Sequence, residues 1–176
     1  MSSGRPLEDV RAELRALEEP LVLALQERSR FRRDQPALAR TLRSSPHSRL
    51  VAAYELEIVP YLSLPGDDGR HEECSAADER LFGLLGRRIL LGGHIADAKM
   101  RREPERLAAL VASGDRAALL TALTDAAVEA QVLERTRALA ERHRGPSEAS
   151  FLVEVFARWI IPLTKEVEVD SLLGGA

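Results

Sequence analysis

A long helical pattern runs through SAADERLFGLLGRRILLGGHIADAKM, residues 75–100. Apolar side chains recur in it at the spacing that places them along one face of an α-helix. Ser75 is a suitable N-cap, and Asp78 and Glu79 in the first turn are favourable to the helix dipole. The Gly92–Gly93 pair lies inside the pattern without a preceding strand, so we do not assign it to a phosphate-binding loop. We expect one helix over this range.

Two further helical patterns precede this helix. Apolar residues recur at steps of three and four from Pro6 to Phe31 and predict a first helix, which Pro20 is expected to bend. A second pattern covers residues 50–64. The prolines and glycines of residues 65–69 then predict a turn, and we expect a mobile loop as far as Cys74.

Three more helices are expected after the long one. A short helix over residues 104–113 starts with proline and is followed by glycine. Asp115 can cap the next helix, which runs to about residue 144. The Gly-Pro-Ser sequence at 145–147 ends that helix and caps the last one, over residues 148–172. No strand alternation of useful length appears, so the predicted class is all-α, a bundle of long antiparallel helices.

Composition sets the broad class of protein. The 176 residues fit a single domain, which we expect to cover residues 1–176. A formal charge of -3 gives no overall electrostatic reason to expect a nucleic acid or an anionic membrane as partner. Cys74 is the single cysteine, which is compatible with a reducing compartment. No export signal or membrane-spanning run is evident, and we expect a cytoplasmic protein.

Charged and polar residues recur at spacings that place them together on helix faces. Arg88 and Lys99 are almost three full turns apart and project from nearly the same side of one helix. Asp125 shares a face with Glu129, and Thr164 shares a face with Glu168. Such pairs usually lie on solvated surfaces. Here small and apolar neighbours favour partial burial, and buried polar groups require partners.

Two other polar segments allow several interpretations. The string HEEC at residues 71–74 offers metal-ligand residue types, but a second cluster is missing, and we interpret it as loop surface. The arginines between Arg30 and Arg49 belong to a solvated connection, steer an anionic substrate weakly, or form an effector site.

Four strings resemble the all-helical AroQ class of chorismate mutases, and specifically its eukaryotic, yeast-like branch. They are VRAELRALEEPLVLALQERSRF at 10–31, LLGRRILLGGHIADAKM at 84–100, LTDAAVEAQVLERT at 123–136 and IIPLTKEVEVDSLL at 160–173. A weaker match is YELEIVP at 54–60. The resemblance covers most of the chain in the expected order and implies the chorismate mutase type II fold.

The resemblance assigns the cations of the expected substrate site. Arg11 matches an arginine that binds one substrate carboxylate, and Arg88 matches the arginine that binds the other. Lys99 matches a lysine that reaches both a carboxylate and the ether oxygen. Two guanidinium forks orient a dicarboxylate better than point charges would.

The remaining site residues also follow from the resemblance. Glu129 matches the carboxylate that receives the substrate's ring hydroxyl, and Thr164 matches a residue that helps to hold a carboxylate. Glu168 matches the group that hydrogen-bonds the ether oxygen opposite the lysine. Asp125 stands where the yeast-like enzymes carry asparagine; either residue can accept a hydrogen bond from a hydroxyl.

The function implied is an isomerase that rearranges chorismate to prephenate, with no cofactor and no metal, as a homodimer. The reaction is intramolecular, so the enzyme must orient a flexible dianion and stabilise charge on the ether oxygen. Isochorismate-pyruvate lyase activity on the same fold is one alternative, and a non-catalytic helical regulatory module is another. The segment that forms the effector site in regulated relatives is short here, so we expect no control by aromatic amino acids.

Overall fold

The structure is a computed structural model that describes residues 4–33, 38, 42 and 48–174. Across these residues the regular structure is helical, apart from one isolated bridge between Arg33 and Pro65. The helices are α1 (Leu7–Ala16), α2 (Glu18–Arg28), α3 (Ser48–Ala53), α4 (Val59–Leu62), α5 (His71–Arg102), α6 (Pro104–Ser113), α7 (Arg116–Leu123), α8 (Ala126–Arg144), α9 (Pro146–Val155) and α10 (Ile161–Leu172). Two π-helical turns, Tyr54–Ile58 and Phe156–Ile160, join α3 to α4 and α9 to α10.

Helix α5 is the centre of the bundle. It packs against α1, α2 and α10, while α8 packs against α2 and α9. Leu, Val and Ile side chains fill the space between these helices, together with Tyr54, Phe156 and Trp159. The prediction of an all-α bundle is therefore confirmed. Within the described ranges, no helix combines the length and the apolar character needed to cross a bilayer.

Prolines explain the irregular points of three helical segments. The bend expected at Pro20 is found as a break at Leu17, between α1 and α2. Pro20 lies in the first turn of α2, where its missing N–H is not needed and its ring crowds the carbonyl of Ala16. Pro60 and Pro162 are the second residues of α4 and α10, which begin where the two π-helical turns end. The wider π-helical turns relieve the clash of each proline ring with the carbonyl four residues earlier. The helical segment therefore continues through each proline.

The start of the long helix was predicted wrongly. Helix α5 begins at His71, so residues 71–74 form its first turn and are not loop surface. Glu72 and Glu73 supply the acidic first turn that was expected after Ser75. Cys74 is buried in a small cluster with Phe31, which draws this turn onto the bundle. In the described residues no group of three potential metal ligands occurs.

A buried polar cluster lies at the end of the bundle near Phe31. Arg28 Nε donates to Asp78 Oδ1 at 2.5 Å, and Tyr54 Oη donates to the same oxygen at 2.7 Å. Burial, together with Asp78, raises the pKa of Tyr54 well above its ordinary value. Asp78 was expected to serve the helix dipole in a first turn. It instead holds α2, the first π-helical turn and α5 together.

The helices after α5 follow the prediction with two corrections. Asp115 caps α7, since its side chain accepts from Ala118 N at 2.9 Å. The single helix expected from there to residue 144 is two helices, because the chain is extended at Thr124 and Asp125. The last helical segment starts at Pro146, not at residue 148.

Candidate active site

One cavity lies between α1, α5, α8 and α10. It is lined by every residue that the sequence assigned to the substrate site: Arg11, Arg88, Lys99, Asp125, Glu129, Thr164 and Glu168. These residues come from distant parts of the chain, so the fold brings the predicted set together. The assigned role of each residue stays a prediction.

Lys99 and Glu168 form an ion pair in the lining of the cavity. Lys99 Nζ donates to Glu168 Oε2 at 2.8 Å and to the carbonyl oxygen of Leu123. Glu168 is 4% exposed. Burial raises the pKa of Glu168, although Lys99, Lys165 and Arg88 oppose the rise. Desolvation thus outweighs the nearby cations, and the neutral acid is easier to form here than in water.

Arg88 is a buried cation with unused hydrogen-bond donors. Its side chain is 4% exposed, and its Nε and Nη1 atoms have no hydrogen-bond partner within the described part of the chain. Burial lowers the pKa of Arg88 to about 10, against the attraction of Glu18 and Glu168. Unpaired buried donors are costly unless an anion binds them. Arg88 can therefore donate hydrogen bonds to an acceptor group that binds in the cavity.

Glu18 and Arg135 form a charged pair beside Arg88. Arg135 donates through Nε and Nη2 to the two carboxylate oxygens of Glu18, at 2.8 and 2.7 Å. The sequence interpretation missed both residues, although both line the cavity. Glu18 carried a usable signal, since it lies on the apolar stripe between Leu14 and Leu21. A carboxylate at such a position needs a buried partner.

Arg11 and Asp125 lie at the cavity mouth. Arg11 Nη2 is 3.7 Å from Asp125 Oδ2, and its other terminal nitrogen donates to Glu8 at 3.2 Å. Asp125 also caps α8, because its Oδ1 accepts from Val128 N at 3.2 Å. Asparagine caps a helix equally well. The capping role is thus compatible with either residue at this position.

Glu129 and Thr164 complete the predicted set. Lys165 Nζ lies 3.0 Å from Glu129 Oε1 as an ion pair, without the alignment of a hydrogen bond. The Thr164 hydroxyl donates to the carbonyl of Ile160 at 2.7 Å. To donate to a group in the cavity, the Thr164 hydroxyl must give up this hydrogen bond. The sequence interpretation also missed Lys165, which lines the cavity.

Gly92 sets the distance between α5 and α10. A Cβ at this position would lie 2.5 Å from the carbonyl oxygen of Thr164 and 3.4 Å from the nitrogen of Glu168. Real Cβ atoms do not approach a backbone oxygen so closely. The absent side chain therefore lets α10 present Thr164 and Glu168 to the cavity opposite Lys99.

The cavity suits an anionic ligand. Its described lining contains six cationic side chains and five carboxylates, together with apolar residues such as Ile95 and Ile161. Protonation of Glu168 would leave an excess of two positive charges. The arrangement can orient a dianion and place an ammonium and a carboxylic acid against one atom of it.

A comparison with family models identifies the family of the chain. The family model for chorismate mutase type II matches residues 71–169. This chain belongs to the chorismate mutase type II family. The match contains all the predicted site residues except Arg11, which lies on α1 before it.

Relatives with curated names agree with the family. Chorismate mutase 2 of Arabidopsis thaliana is 32% identical over 136 residues, which are 68% of this chain and 51% of that protein. Chorismate mutase of Schizosaccharomyces pombe is 33% identical over 138 residues, 72% of this chain and 55% of that protein. The chain thus spans about half the length of these relatives.

Solved chorismate mutase structures share the fold. The chloroplast enzyme of Zea mays superposes with a TM-score of 0.77 at 23% identity, covering 98% of this chain and 96% of that one. The Candida albicans enzyme in complex with L-Trp has a TM-score of 0.79 at 23% identity, covering 95% and 90%. The AtCM1 structure with phenylalanine in its allosteric site has a TM-score of 0.82 at 21% identity, covering 98% and 97%.

Proposed function

We propose that this chain is a chorismate mutase, an isomerase that rearranges chorismate to prephenate in the described cavity. The observation that carries the proposal is Arg88, a buried guanidinium with unpaired donors beside the Lys99–Glu168 pair. Membership of the chorismate mutase type II family supplies the substrate.

Binding in this proposal depends on two arginine forks. Arg88 binds one substrate carboxylate, and Arg11 binds the other. Thr164 helps to hold a carboxylate, and Lys99 reaches both a carboxylate and the ether oxygen. Glu129 accepts a hydrogen bond from the ring hydroxyl, with Asp125 close by. Fixing both carboxylates and the hydroxyl holds the side chain over the ring, in the conformation that reacts.

Catalysis depends on the ether oxygen, where negative charge grows as the carbon–oxygen bond breaks and the new carbon–carbon bond forms. Lys99 and a protonated Glu168 donate to this oxygen. Both contacts strengthen in the transition state, so they lower the barrier more than they tighten substrate binding. The reaction moves no proton between enzyme and product, and Glu168 keeps its proton.

The wider assignments belong to the same proposal. We expect residues 1–176 to form one domain, a homodimer in solution, and a protein of the cytoplasm in aromatic amino acid or specialised aromatic biosynthesis. Names of relatives include both cytosolic and chloroplastic enzymes. We expect no nucleic acid or membrane partner, and no organic or metal cofactor.

Incubation with the candidate substrates tests the activity. Purified protein is given chorismate or isochorismate, and the products are identified by nuclear magnetic resonance. We expect prephenate from chorismate. Salicylate and pyruvate from isochorismate alone would instead show the lyase activity, and the absence of both reactions in a folded protein would show a non-catalytic helical module.

A further inference from the structure

Lysine is rare in this chain. The 25 lysine and arginine residues include only two lysines, Lys99 and Lys165. Both line the same cavity. Arginine serves at the other basic positions, so the two lysines mark places where a compact ammonium fits better than a planar guanidinium. Lys99 already has a proposed role, whereas Lys165 has none.

Lys165 contacts one oxygen of Glu129. Its Nζ lies 3.0 Å from Glu129 Oε1 and donates to Thr124 Oγ1 at 3.4 Å. Glu129 Oε1 is fully buried. In the described residues, Glu129 Oε2 takes part in no hydrogen bond, and Glu129 lines the cavity. Lys165 therefore lies nearest to the buried oxygen of this carboxylate, and the other oxygen is available to accept a hydrogen bond.

We propose that Lys165 is a positioning residue that holds Oε1 of Glu129, so that Oε2 accepts the ring hydroxyl of the substrate. This inference rests on the chorismate mutase function proposed above. The ammonium acts through Glu129, and it touches neither the ether oxygen nor the bond that breaks.

The choice of lysine follows from the different shapes of an ammonium and a guanidinium group. An ammonium is a point charge that pairs with a single carboxylate oxygen at short distance. A guanidinium presents a planar fork that pairs with both oxygens. Arginine at position 165 would keep the charge but occupy Oε2, so that the ring hydroxyl of the substrate would lose its acceptor.

Loss of Lys165 should change KM more than kcat. The ring hydroxyl is bound in both the ground state and the transition state, and such uniform binding appears in KM. Lys165 also opposes the burial that raises the pKa of Glu168. Its removal therefore favours the neutral, donating form of Glu168, and the chemical step keeps its donor.

The test compares Lys165→Met and Lys165→Arg in the parent chain and in the Glu129→Gln background, by steady-state kinetics with chorismate. In the parent, both substitutions should raise KM about tenfold, the worth of one charged hydrogen bond, with kcat within about twofold. In the Glu129→Gln background, neither should raise KM further, because the partner carboxylate is gone. Arg142→Met, which removes an exposed cation outside the cavity, should leave both constants unchanged.

Three results would overturn the assignment and leave the proposed function intact. An unchanged KM in Lys165→Met would show that the ion pair does not position Glu129. Parent-like kinetics in Lys165→Arg would show that a single-oxygen contact is not required. An equal rise of KM in the two backgrounds would mean that Lys165 binds substrate directly. Absence of turnover in the parent chain would overturn the proposed function itself, and the Lys165 assignment with it.

Discussion

Arg88 is a buried cation whose Nε and Nη1 atoms have no hydrogen-bond partner among the described residues. Its donors gain a partner when a carboxylate enters the cavity, so Arg88→Ala should remove binding and orientation together. Lys99→Ala should remove a donor to the ether oxygen. The loss of one such electrostatic contact costs about 10²–10³ in kcat. Steady-state kinetics should show a fall of at least this size in each variant, with the circular-dichroism melt largely preserved.

Arg87→Ala is the matched control, because Arg87 is the exposed neighbour of Arg88 on the same helix. It should retain the parent kinetics. Near-normal turnover in both Arg88→Ala and Lys99→Ala would instead remove the basis of the site assignment.

Glu168 links the activity to pH. Burial raises its pKa, and a bound dianion adds repulsion that raises it further. Only the neutral acid donates to the ether oxygen. Turnover should therefore be highest below the raised pKa and decline as the pH rises through it towards alkaline values, as a kcat profile would show.

Glu168→Gln is the diagnostic variant for this effect. Its amide donates a hydrogen bond without titrating, so the pH profile should become flat while substantial activity remains. If the glutamine variant kept the pH dependence of the parent, another group would control the rate, and the donor role of Glu168 would be abandoned.

Among the elements, the contact of α5 with α10 depends most on a single residue. Gly92→Ala places a methyl group 2.5 Å from the Thr164 carbonyl, so the helices must separate. We expect a loss of about 1–3 kcal/mol in the free energy of unfolding, measured by urea denaturation. Activity should fall as well, because Thr164 and Glu168 move with α10.

Gly83→Ala provides the control for helix propensity. Gly83 is exposed on the same helix, and a Cβ there meets no atom within 4 Å. This substitution should stabilise the protein by about 0.5–1 kcal/mol. Equal effects at positions 83 and 92 would contradict a close approach of α5 and α10 at Gly92.

Helix boundaries show what local patterns predict well. Gly114 and Asp115 marked the end of α6 and the start of α7, because left-handed glycine and side-chain capping are local effects. The start of α5 was missed, since burial of Cys74 against Phe31 is a tertiary effect. The π-helical turns were missed too, although Pro60 and Pro162 were visible in the sequence.

At the scale of the whole molecule, all the predicted site residues line one cavity. These residues could be found from the sequence because the strings that resemble the family contain all seven. Glu18, Arg135 and Lys165 were missed for a different reason. Their importance comes from partners on other helices, Arg135 with Glu18 and Lys165 with Glu129. A single sequence does not show which charges meet across a bundle.

Regulation is a second property of the whole molecule. Solved relatives include structures with phenylalanine or tyrosine in an allosteric site and one in complex with L-Trp. The arginine-containing connection between Arg30 and Arg49 is short, and most of it lies outside the described residues. We expect Phe, Tyr and Trp to change the rate little. A sigmoidal chorismate curve that Trp makes hyperbolic would contradict this.

The most direct test of the central claim is the rate at which the purified 176-residue chain forms prephenate, with Arg88→Ala measured beside it. The cavity contains both arginines, the Lys99–Glu168 pair and Glu129 within this chain, so the chain alone should turn chorismate over with saturation kinetics. The Arg88→Ala variant should lose this activity while it stays folded. A folded parent chain that forms no prephenate at any chorismate concentration would contradict the account.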